Sequence, residues 1–550
     1  MKHKKRRNHS SLKNEAVQVS PNTNVSSSTP SSSDGSTETL RFSAALRYYL
    51  IITSAITGGI VMIVEILGAK MLAPYTGTSH FVWTAQIGVT LVSLAVGYAV
   101  GGWIADRVKS PAPLYFALLA AALFLTFSVL GCRVVSLACV RINLAVGSLM
   151  ASAFLFFIPL CFLAMVPPFL VRSLTLSLTQ VGTSVGRLSA ISTIGSVVGT
   201  VAIGYAMIPF FSNSHIMFGT AIFLALMAVV YFFVWQRTWA FFAVIGLIAI
   251  VAIVFLGIRQ PVLKLSSRFV EIYNTNSNFG LMQVVDEPMT GRRFYLNDLL
   301  TQNCYHIPTK QSTSMFTYML YEMARCSVEE IKDVLCIGMG VGIVPMKFAE
   351  EGAAVDIVEI NPKVIPLAKD FFDFKPEKFN ITVGDGRTLV ANAKKKYDVI
   401  VLDAFLGESP PSHLMTVEAF IGIRDMLKPG GALVINSFGS FSKDRNLFCS
   451  SFEKTLKAVF PTVKCFAVGE SEANFYYTAL LDSEATFVRE PDFEDFPESL
   501  RKEAAALFDS DVSSIDERSI LITDDYNPID ILDAKNRMYL RQYLTRTFLQ

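Results

Sequence analysis

Charge is scarce in this sequence. Only 17% of its 550 residues are Asp, Glu, Lys or Arg, against about 25% in soluble domains. The 48 basic and 46 acidic residues leave a net charge of +2. Lys2 to Arg7 are basic and Glu490 to Glu498 are acidic, but no Lys/Arg stripe runs along the chain, which argues against nucleic acid as a partner. Cysteine pattern is lacking too. The eight Cys form no C-x-x-C and no Cys/His cluster with metal-ligand spacing, so neither a zinc site nor a disulfide framework is expected. Reduced thiols in a cytosol-facing protein fit that usage.

Apolar residues are abundant, at 52%, and they are concentrated in the first half. Residues 1–45 are polar and Ser-rich, with too little apolar surface to offset ordering entropy, and read as a disordered tail. They are not a cleavable signal, because the apolar run that follows is too long and leads into others. Residues 46–260 read as a transmembrane helical domain. Its runs near 47–70, 82–104, 112–132, 147–170, 187–210, 215–235 and 239–258 each approach the roughly 20 residues a helix needs to cross hydrocarbon. Gly97 with Gly101, and Gly195 with Gly199, stand four apart, a spacing that lets helix backbones approach. Glu65 lies inside an apolar run, where a carboxylate is costly and often functional.

Pro261 marks a change of pattern. Residues 264–305 read as a small β segment, with strands at 279–285 and 292–296. Residues 306–485 alternate short β-branched runs with helical stretches, giving strands at 333–338, 355–360, 380–384, 397–403, 431–437, 463–468 and 474–481. That alternation implies a parallel, doubly wound α/β sheet. Residues 486–550 read as a mostly helical tail, acidic at first.

Chemistry gathers at the ends of the central strands. Val334 to Ile337 run into Gly338-Met339-Gly340-Val341-Gly342, a glycine turn where a ligand can approach backbone with no Cβ in the way. About twenty residues on, the next strand ends in Glu359, placed to accept from ribose hydroxyls. The third ends in Gly384-Asp385-Gly386, whose acid can accept from an adenine amino group. The fourth delivers Asp403, and Leu427-Lys428-Pro429-Gly430-Gly431 turns into the fifth. Acids and glycines at successive carboxyl ends of parallel strands converge on one crevice.

These motifs resemble those of spermidine synthases. Gly338 to Gly342, Glu359-Ile360-Asn361-Pro362, Gly384-Asp385-Gly386, Asp403-Ala404-Phe405 and Leu427 to Gly431 follow that family's series. Leu296-Asn297-Asp298-Leu299-Leu300-Thr301-Gln302 resembles its L-D-G-x-x-Q strand. The whole is similar to membrane-fused spermidine synthase-like proteins, through Val64-Glu65-Ile66-Leu67-Gly68, Gly102-Trp103-Ile104-Ala105-Asp106-Arg107, His413-Leu414-Met415-Thr416 and Thr523-Asp524-Asp525-Tyr526-Asn527-Pro528. The resemblance implies a polytopic α-helical membrane domain joined to an α/β Rossmann-like domain of the class I methyltransferase/spermidine synthase kind. It implies aminopropyl transfer from decarboxylated S-adenosylmethionine to an amine such as putrescine, with no metal. Gln302, Gly338, Gly340, Gly342, Glu359, Asp385 and Gly386 would hold the nucleoside, Asp403 would be the catalytic acid, and Tyr318 would lie near the polyamine.

The sequence departs from that pattern in three places. Val341 stands where the family has an Asp in the glycine loop. Leu406 replaces a second acid after Asp403, with Glu408 nearby. Gly280, in Phe279-Gly280, replaces the glutamine of a Y-Q pair. Ordinary S-adenosylmethionine with methyl transfer therefore stays open, as does a non-catalytic polyamine or nucleoside sensor coupled to a transporter-like bundle. The bilayer is the expected second partner, and a homodimer is allowed but not specified.

The expected place is the inner membrane, with the transferase domain in the cytoplasm. The basic N-terminus with Arg107, Lys109, Arg172, Arg187 and Arg237 favours a cytoplasmic start. Seven crossings would then put the second half outside, away from a cytosolic cofactor. An even number is expected instead, with 133–146 as an extra crossing or one run re-entrant.

Overall fold

The computed structural model describes residues 42–77, 80–108, 110–140, 142, 144–175, 181–258, 265–392, 394–405, 411–467, 473–484, 486–510, 512 and 515–549. The N-terminal tail, Lys109, Pro261, Leu406 and Glu408 lie outside these residues.

The first half is helical: α1 (Ala44–Thr76), α2 (His80–Ala105), α3 (Ala112–Val140), α4 (Leu144–Ala164), α5 (Val166–Leu174), α6 (Val181–Val201, extended by a π-turn over Ala202–Met207), α7 (Asn213–Trp235) and α8 (Arg237–Ile258). Ser43 caps α1 by accepting from the Leu46 N–H at 3.3 Å, and Thr416 does the same for a later helix at Ala419. Among the described residues, seven helical segments are long and apolar enough to cross a membrane, with α4 and α5 counted as one. Residues 133–140 continue α3 and start no separate helix, against the extra crossing expected there.

Both glycine pairs sit at helix crossings. A methyl group on Gly195 would strike the Ala55 carbonyl, and one on Gly199 would come within 2.5 Å of the Gly59 carbonyl, so α6 packs backbone to backbone on α1. Gly101 lies as close to Met165, where α4 gives way to α5. Backbones this near gain dispersion contact that larger residues would block.

The second half starts with an antiparallel sheet in chain order: β1 (Val270–Ser277), β2 (Gly280–Glu287), β3 (Arg292–Asn297), β4 (Leu300–His306) and β5 (Gln311–Ser312). The sequence suggested only the two middle strands before this sheet's end, because β1 is exposed along most of its length and carries no apolar alternation. Asp298 and Leu299 join β3 to β4 with φ of 48° and 67°, the conformation a two-residue hairpin turn requires. Leu299 is fully buried in the same apolar cluster as α1, α3 and α7, so packing against the bundle offsets its strain.

The main sheet has seven strands: β6 (Asp333–Ile337), β7 (Ala354–Glu359), β8 (Asn380–Val383), β9 (Tyr397–Leu402), β10 (Leu427–Gly439), β11 (Thr462–Phe466) and β12 (Ala473–Leu480), in the order β11-β12-β10-β9-β6-β7-β8. The strands β6 to β10 pair in parallel, while β12 runs antiparallel to both of its neighbours. Helices fill the connections and the tail: α9 (Met315–Ser327), α10 (Ile343–Glu350), α11 (Val364–Phe371), α12 (Gly386–Asn392), α13 (Val417–Asp425), α14 (Leu447–Lys457), α15 (Glu498–Phe508), α16 (Ile529–Leu532) and α17 (Ala534–Leu549). Val334 and Cys336 feed one apolar cluster and Leu335 and Ile337 the other. Burial on both faces explains why β6 reads as a continuous apolar run. The chain leaves β6 toward β8 and returns to β9 on the other side, which opens a crevice at the strands' carboxyl ends.

The two halves belong to one compact unit, Phe42–Gln550. Lys70 Nζ donates to the Asn278 carbonyl at 2.9 Å, and Lys363 Nζ to the Pro209 carbonyl at 2.8 Å. His80 Nδ1 lies 3.0 Å from Asp530. The helix ends near Thr76, His80 and Met207 therefore face the α/β part, and those near Arg47, Arg107, Arg172, Arg187 and Arg237 point away from it.

Candidate active site

A cavity of about 290 Å³ opens at the carboxyl ends of β6, β7, β8 and β9. Gln302, Gly338, Gly340, Glu359, Asp385, Gly386 and Asp403 all line it. Seven of the nine residues singled out from the sequence thus meet at one wall.

The glycine loop owes its shape to contacts as well as conformation. Gly338 has φ +87°, and a methyl there would collide with the Asp403 carbonyl. Asn303 of β4 accepts the Val341 N–H at 3.1 Å and pins the loop from above. Glu359 Oε2 accepts the Met339 N–H at 3.2 Å, and its Oε1 accepts the Asn361 N–H at 2.8 Å. Burial pushes the Glu359 carboxyl up, and those backbone donors hold it back. A buried carboxylate gripping two N–H groups fixes the loop and the β7 tip together.

Asp385 caps α12, accepting from the Arg387 and Thr388 N–H groups at 2.8 and 3.3 Å. Its other oxygen lies 2.8 Å from His413 Nε2. The segment after His413 is braced by the tail: Asp524 takes Thr416 Oγ1 at 2.7 Å and Arg387 Nη2 at 2.6 Å. Two separated sequence pieces, 413–416 and 523–528, therefore form one buttress behind Asp385.

Asp403 follows β9 and opens onto the cavity. Asn436 on β10 donates to its Oδ1 at 2.8 Å, and Asn474 on β12 donates to the Asn436 Oδ1 at 2.8 Å. Burial pushes the Asp403 carboxyl up to about 6, with the Asn436 hydrogen bond opposing. A carboxylate poised there can take a proton from an amine near neutral pH.

Two residues fall outside the cavity. Tyr318 is buried, donates its hydroxyl to the Ser312 carbonyl at 2.9 Å and packs on Phe496. The residue of α9 that lines the cavity is Phe316. Two helical positions are about 200° apart, so a helix that turns Phe316 inward turns Tyr318 away. Gly342, with φ +85°, precedes α10 and abuts the Phe374 ring, shaping the turn without reaching the cavity wall. Val341 is also fully buried, in the core. Gly280 lies so close to Asn297 and Asp298 that any side chain would collide with them, which excludes a glutamine in this geometry.

Sequence reasoning missed Asn436, Asn474 and the return of the C-terminal helix to the cavity, though it read the tail as helical. Leu540, Tyr543 and Leu544 of α17 line the cavity. Between them Arg541 is fully buried and donates to the Asp298 carbonyl and, at 3.2 Å, to the Pro74 carbonyl of α1. A polar pair of Asn residues within β-branched strands was the available signal for the first two. No local signal marks the return of α17.

The family model for the spermine/spermidine synthase domain matches residues 314–471. A polyamine aminopropyltransferase of Vibrio vulnificus is 31% identical over 221 residues, which is 36% of this chain and 69% of that protein. An N-terminal histidine N-methyltransferase of Emericella nidulans is 34% identical over 140 residues, 24% of each chain. The spermidine synthase structure from Thermotoga maritima aligns with 42% of this chain and 83% of its own, at 18% identity and a TM-score of 0.34. Through its C-terminal half, the chain belongs to the spermine/spermidine synthase family.

Proposed function

We propose that the protein is a membrane-embedded transferase that moves an aminopropyl group from decarboxylated S-adenosylmethionine to an amine. The observation that carries this reading is the meeting of Glu359, Asp385 and Asp403 on one cavity wall, with Asp403 held by the Asn436 carboxamide, which Asn474 holds in turn. Gly384 also lines the cavity, and a methyl there would meet nothing within 4 Å, so open space lies where a side chain would stand. That space, with Glu359 and Asp385 beside it, suits an adenosine. When bound, the nucleoside sulfonium supplies an activated carbon.

The chain's own residues orient the amine and take up its proton. The amine nitrogen gives its lone pair to the activated carbon while the carbon–sulfur bond breaks, its pair leaving on a neutral thioether. Asp403 accepts the proton that the nitrogen loses. Phe316, Phe405 and Phe438 wall the cavity, exclude water and offer faces to a cationic ligand.

Val341 favours a second reading. Its burial leaves no acid in the glycine loop to grip an aminopropyl ammonium or repel a carboxylate, so ordinary S-adenosylmethionine and methyl transfer fit this loop. The methyltransferase among the relatives supports that reading. The test supplies the full chain in detergent with either cofactor and several amines. Methylthioadenosine is the expected product; S-adenosylhomocysteine alone would establish the second reading, and neither product would overturn both.

The seven apolar helices support insertion in the inner membrane. We place the α/β half in the cytoplasm, where its cofactor is made, and the N-terminus opposite. The basic ends Arg47, Arg107, Arg172, Arg187 and Arg237 argue the other way, and cofactor supply takes precedence for an enzyme. Impermeant thiol labelling of single cysteines at 107 and 289 decides it: 107 should react from outside the cell, and reaction of 289 would reverse the placement.

A further inference from the structure

A second cavity, of about 350 Å³, lies where the helical half meets the small antiparallel sheet. Its lining is drawn from α1, α3, α7 and α8 and from strands β1 and β2. Pro74, His215 and Ile258 line it, each within a turn of a helix end, those of α1, α7 and α8. In an inserted bundle that is the depth at which hydrocarbon gives way to headgroups. The apolar lining includes Met71, Tyr75, Phe218 and Leu281, and the basic lining is Lys70 and His215. Helix α7 starts at this cavity, with Ser212, Asn213 and Ser214 in the lining, and a helix start favours an anion. Lys70 lies about 9 Å along α1 from its end, and its long side chain reaches out to the Asn278 carbonyl at 2.9 Å, as lysines do at an interface. Glu271 adds a carboxylate to the lining, which accepts from the Asn274 carboxamide at 3.1 and 3.2 Å and from that of Gln283.

The turn that joins β1 to β2 ties this cavity to the first. The Asn276 carbonyl accepts from Lys363 Nζ at 2.6 Å, the Ser277 hydroxyl accepts from the Asn361 carboxamide at 3.2 Å, and the Asn278 carbonyl accepts from Lys70. Phe279, the next residue, lines the first cavity. Asn361 lines it as well and donates its N–H to Glu359 at 2.8 Å. Hydrogen bonds thus run from Lys70 through the turn to the tip of β7. An ammonium has three donors, so Lys70 can hold the Asn278 carbonyl and a phosphate oxygen together. A ligand held that way fixes the turn beside Glu359.

We propose that the second cavity binds an anionic glycerophospholipid, with its phosphate at Lys70 and the start of α7 and its apolar part among Met71, Tyr75 and Phe218, and that the bound lipid steadies the β1–β2 turn for nucleoside binding. The site rests on the membrane insertion proposed above, and its link to the first cavity on the transferase reading. A soluble phosphate monoester carries the same charged group; the depth of the cavity favours the lipid. A zwitterionic lipid brings its own ammonium, which competes with Lys70 for the phosphate, so a net negative headgroup fits better.

The test takes the full chain in detergent and measures binding by native mass spectrometry, with phosphatidylglycerol, phosphatidylcholine and glycerol 3-phosphate as probes. Phosphatidylglycerol should bind at least tenfold more tightly than phosphatidylcholine, and glycerol 3-phosphate should not displace it. Lys70→Gln keeps a donor for the Asn278 carbonyl but removes the charge, and Ser214→Phe fills space at the start of α7. Each should weaken phosphatidylglycerol at least tenfold, while Glu271→Gln should bind it at least as tightly as wild type. Methylthioadenosine should bind wild type at least threefold more tightly with phosphatidylglycerol present, and Lys70→Gln should lose that gain. Equal binding of the two lipids, untouched by Lys70→Gln and Ser214→Phe, overturns the site. Weaker binding in Glu271→Gln, with none lost in Lys70→Gln, would mean that the cavity recognises a cation, and overturns it too. Displacement by glycerol 3-phosphate overturns the lipid in favour of a soluble phosphate. An unchanged methylthioadenosine affinity overturns the link between the cavities. Lipid binding is scored without nucleoside, so a wild type that binds no methylthioadenosine overturns the transferase reading and the link but leaves the site standing. A chain that stays soluble without detergent or lipid undoes the insertion reading, and this site with it.

Discussion

The helical half and the α/β half both bury an apolar core, but they expose different things. On α8, Phe241 and Leu256 are 69% and 63% exposed, whereas Leu335, Ile400 and Leu433 in the main sheet are fully buried. Within the bundle the informative residues are polar. Gln86 is buried on α2 and receives Ser152 of α4, and Thr53 of α1 meets the Tyr115 hydroxyl of α3 at 3.0 Å. A bundle that turns its apolar side chains outward suits a bilayer, where helices gain specificity from close backbones and interhelical hydrogen bonds. In the sheet, apolar burial marks the core, and polar residues at strand tips mark the site.

That contrast can be broken at several points. The largest effect is expected at Asp403. Asp403→Asn keeps the shape and the approach of Asn436 but removes the proton acceptor, so turnover should fall by ~10²–10⁴-fold. Single-turnover rates with saturating cofactor check it, and unchanged turnover would remove Asp403 from the chemistry.

Arg541→Ala acts on the seam between the halves. It strands the Pro74 and Asp298 carbonyls, at about 1–3 kcal/mol for a buried group left unpaired. The KM for the amine should rise more than the affinity for the nucleoside falls, because α17 lines the cavity while Glu359 and Asp385 keep their own backbone partners. Equal losses in both would show a merely structural role. Gly195→Val should then cost about 1–3 kcal/mol through overpacking against Ala55, seen as a lower Tm in detergent. A Tm equal to wild type would mean that α6 does not press on α1.

The smallest expected effect is on pH dependence. The folded protein holds the Asp403 proton more tightly than the unfolded chain does, since burial raises this carboxyl to about 6 from an unfolded value near about 3.9. Its contribution to stability is full below the unfolded value and is lost as pH rises through about 6. Asp403→Asn should therefore be more stable than wild type at pH 8, with the gap closing toward pH 4. For the wild type, kcat/KM should fall as pH drops below about 6. Parallel melting curves across pH would contradict the assignment.

Much of the site was legible because strand tips are local. Gly338, Glu359, Asp385 and Asp403 each end a short β-branched run, and parallel pairing sets those ends side by side. Tyr318 falls outside the cavity through helix rotation, which a resemblance cannot foresee when Phe316 stands two positions away. Strand β1 was missed because it is exposed, and β12 was not read as antiparallel because its direction depends on the β11 connection. The wall formed by α17 was invisible for a different reason: Leu540, Tyr543 and Leu544 reach the cavity only through a tertiary contact, between Arg541 and two carbonyls far away in sequence.

The division of labour within the cavity can be measured directly by titrating methylthioadenosine into wild type, Asp403→Asn and Asp385→Asn under identical conditions. The expected result is binding within about twofold of wild type for Asp403→Asn and at least tenfold weaker binding for Asp385→Asn, a difference of about 1.4 kcal/mol or more. Loss of binding in both variants alike, or none in the wild type, would contradict a nucleoside held by the β7 and β8 tips with the chemistry left to β9.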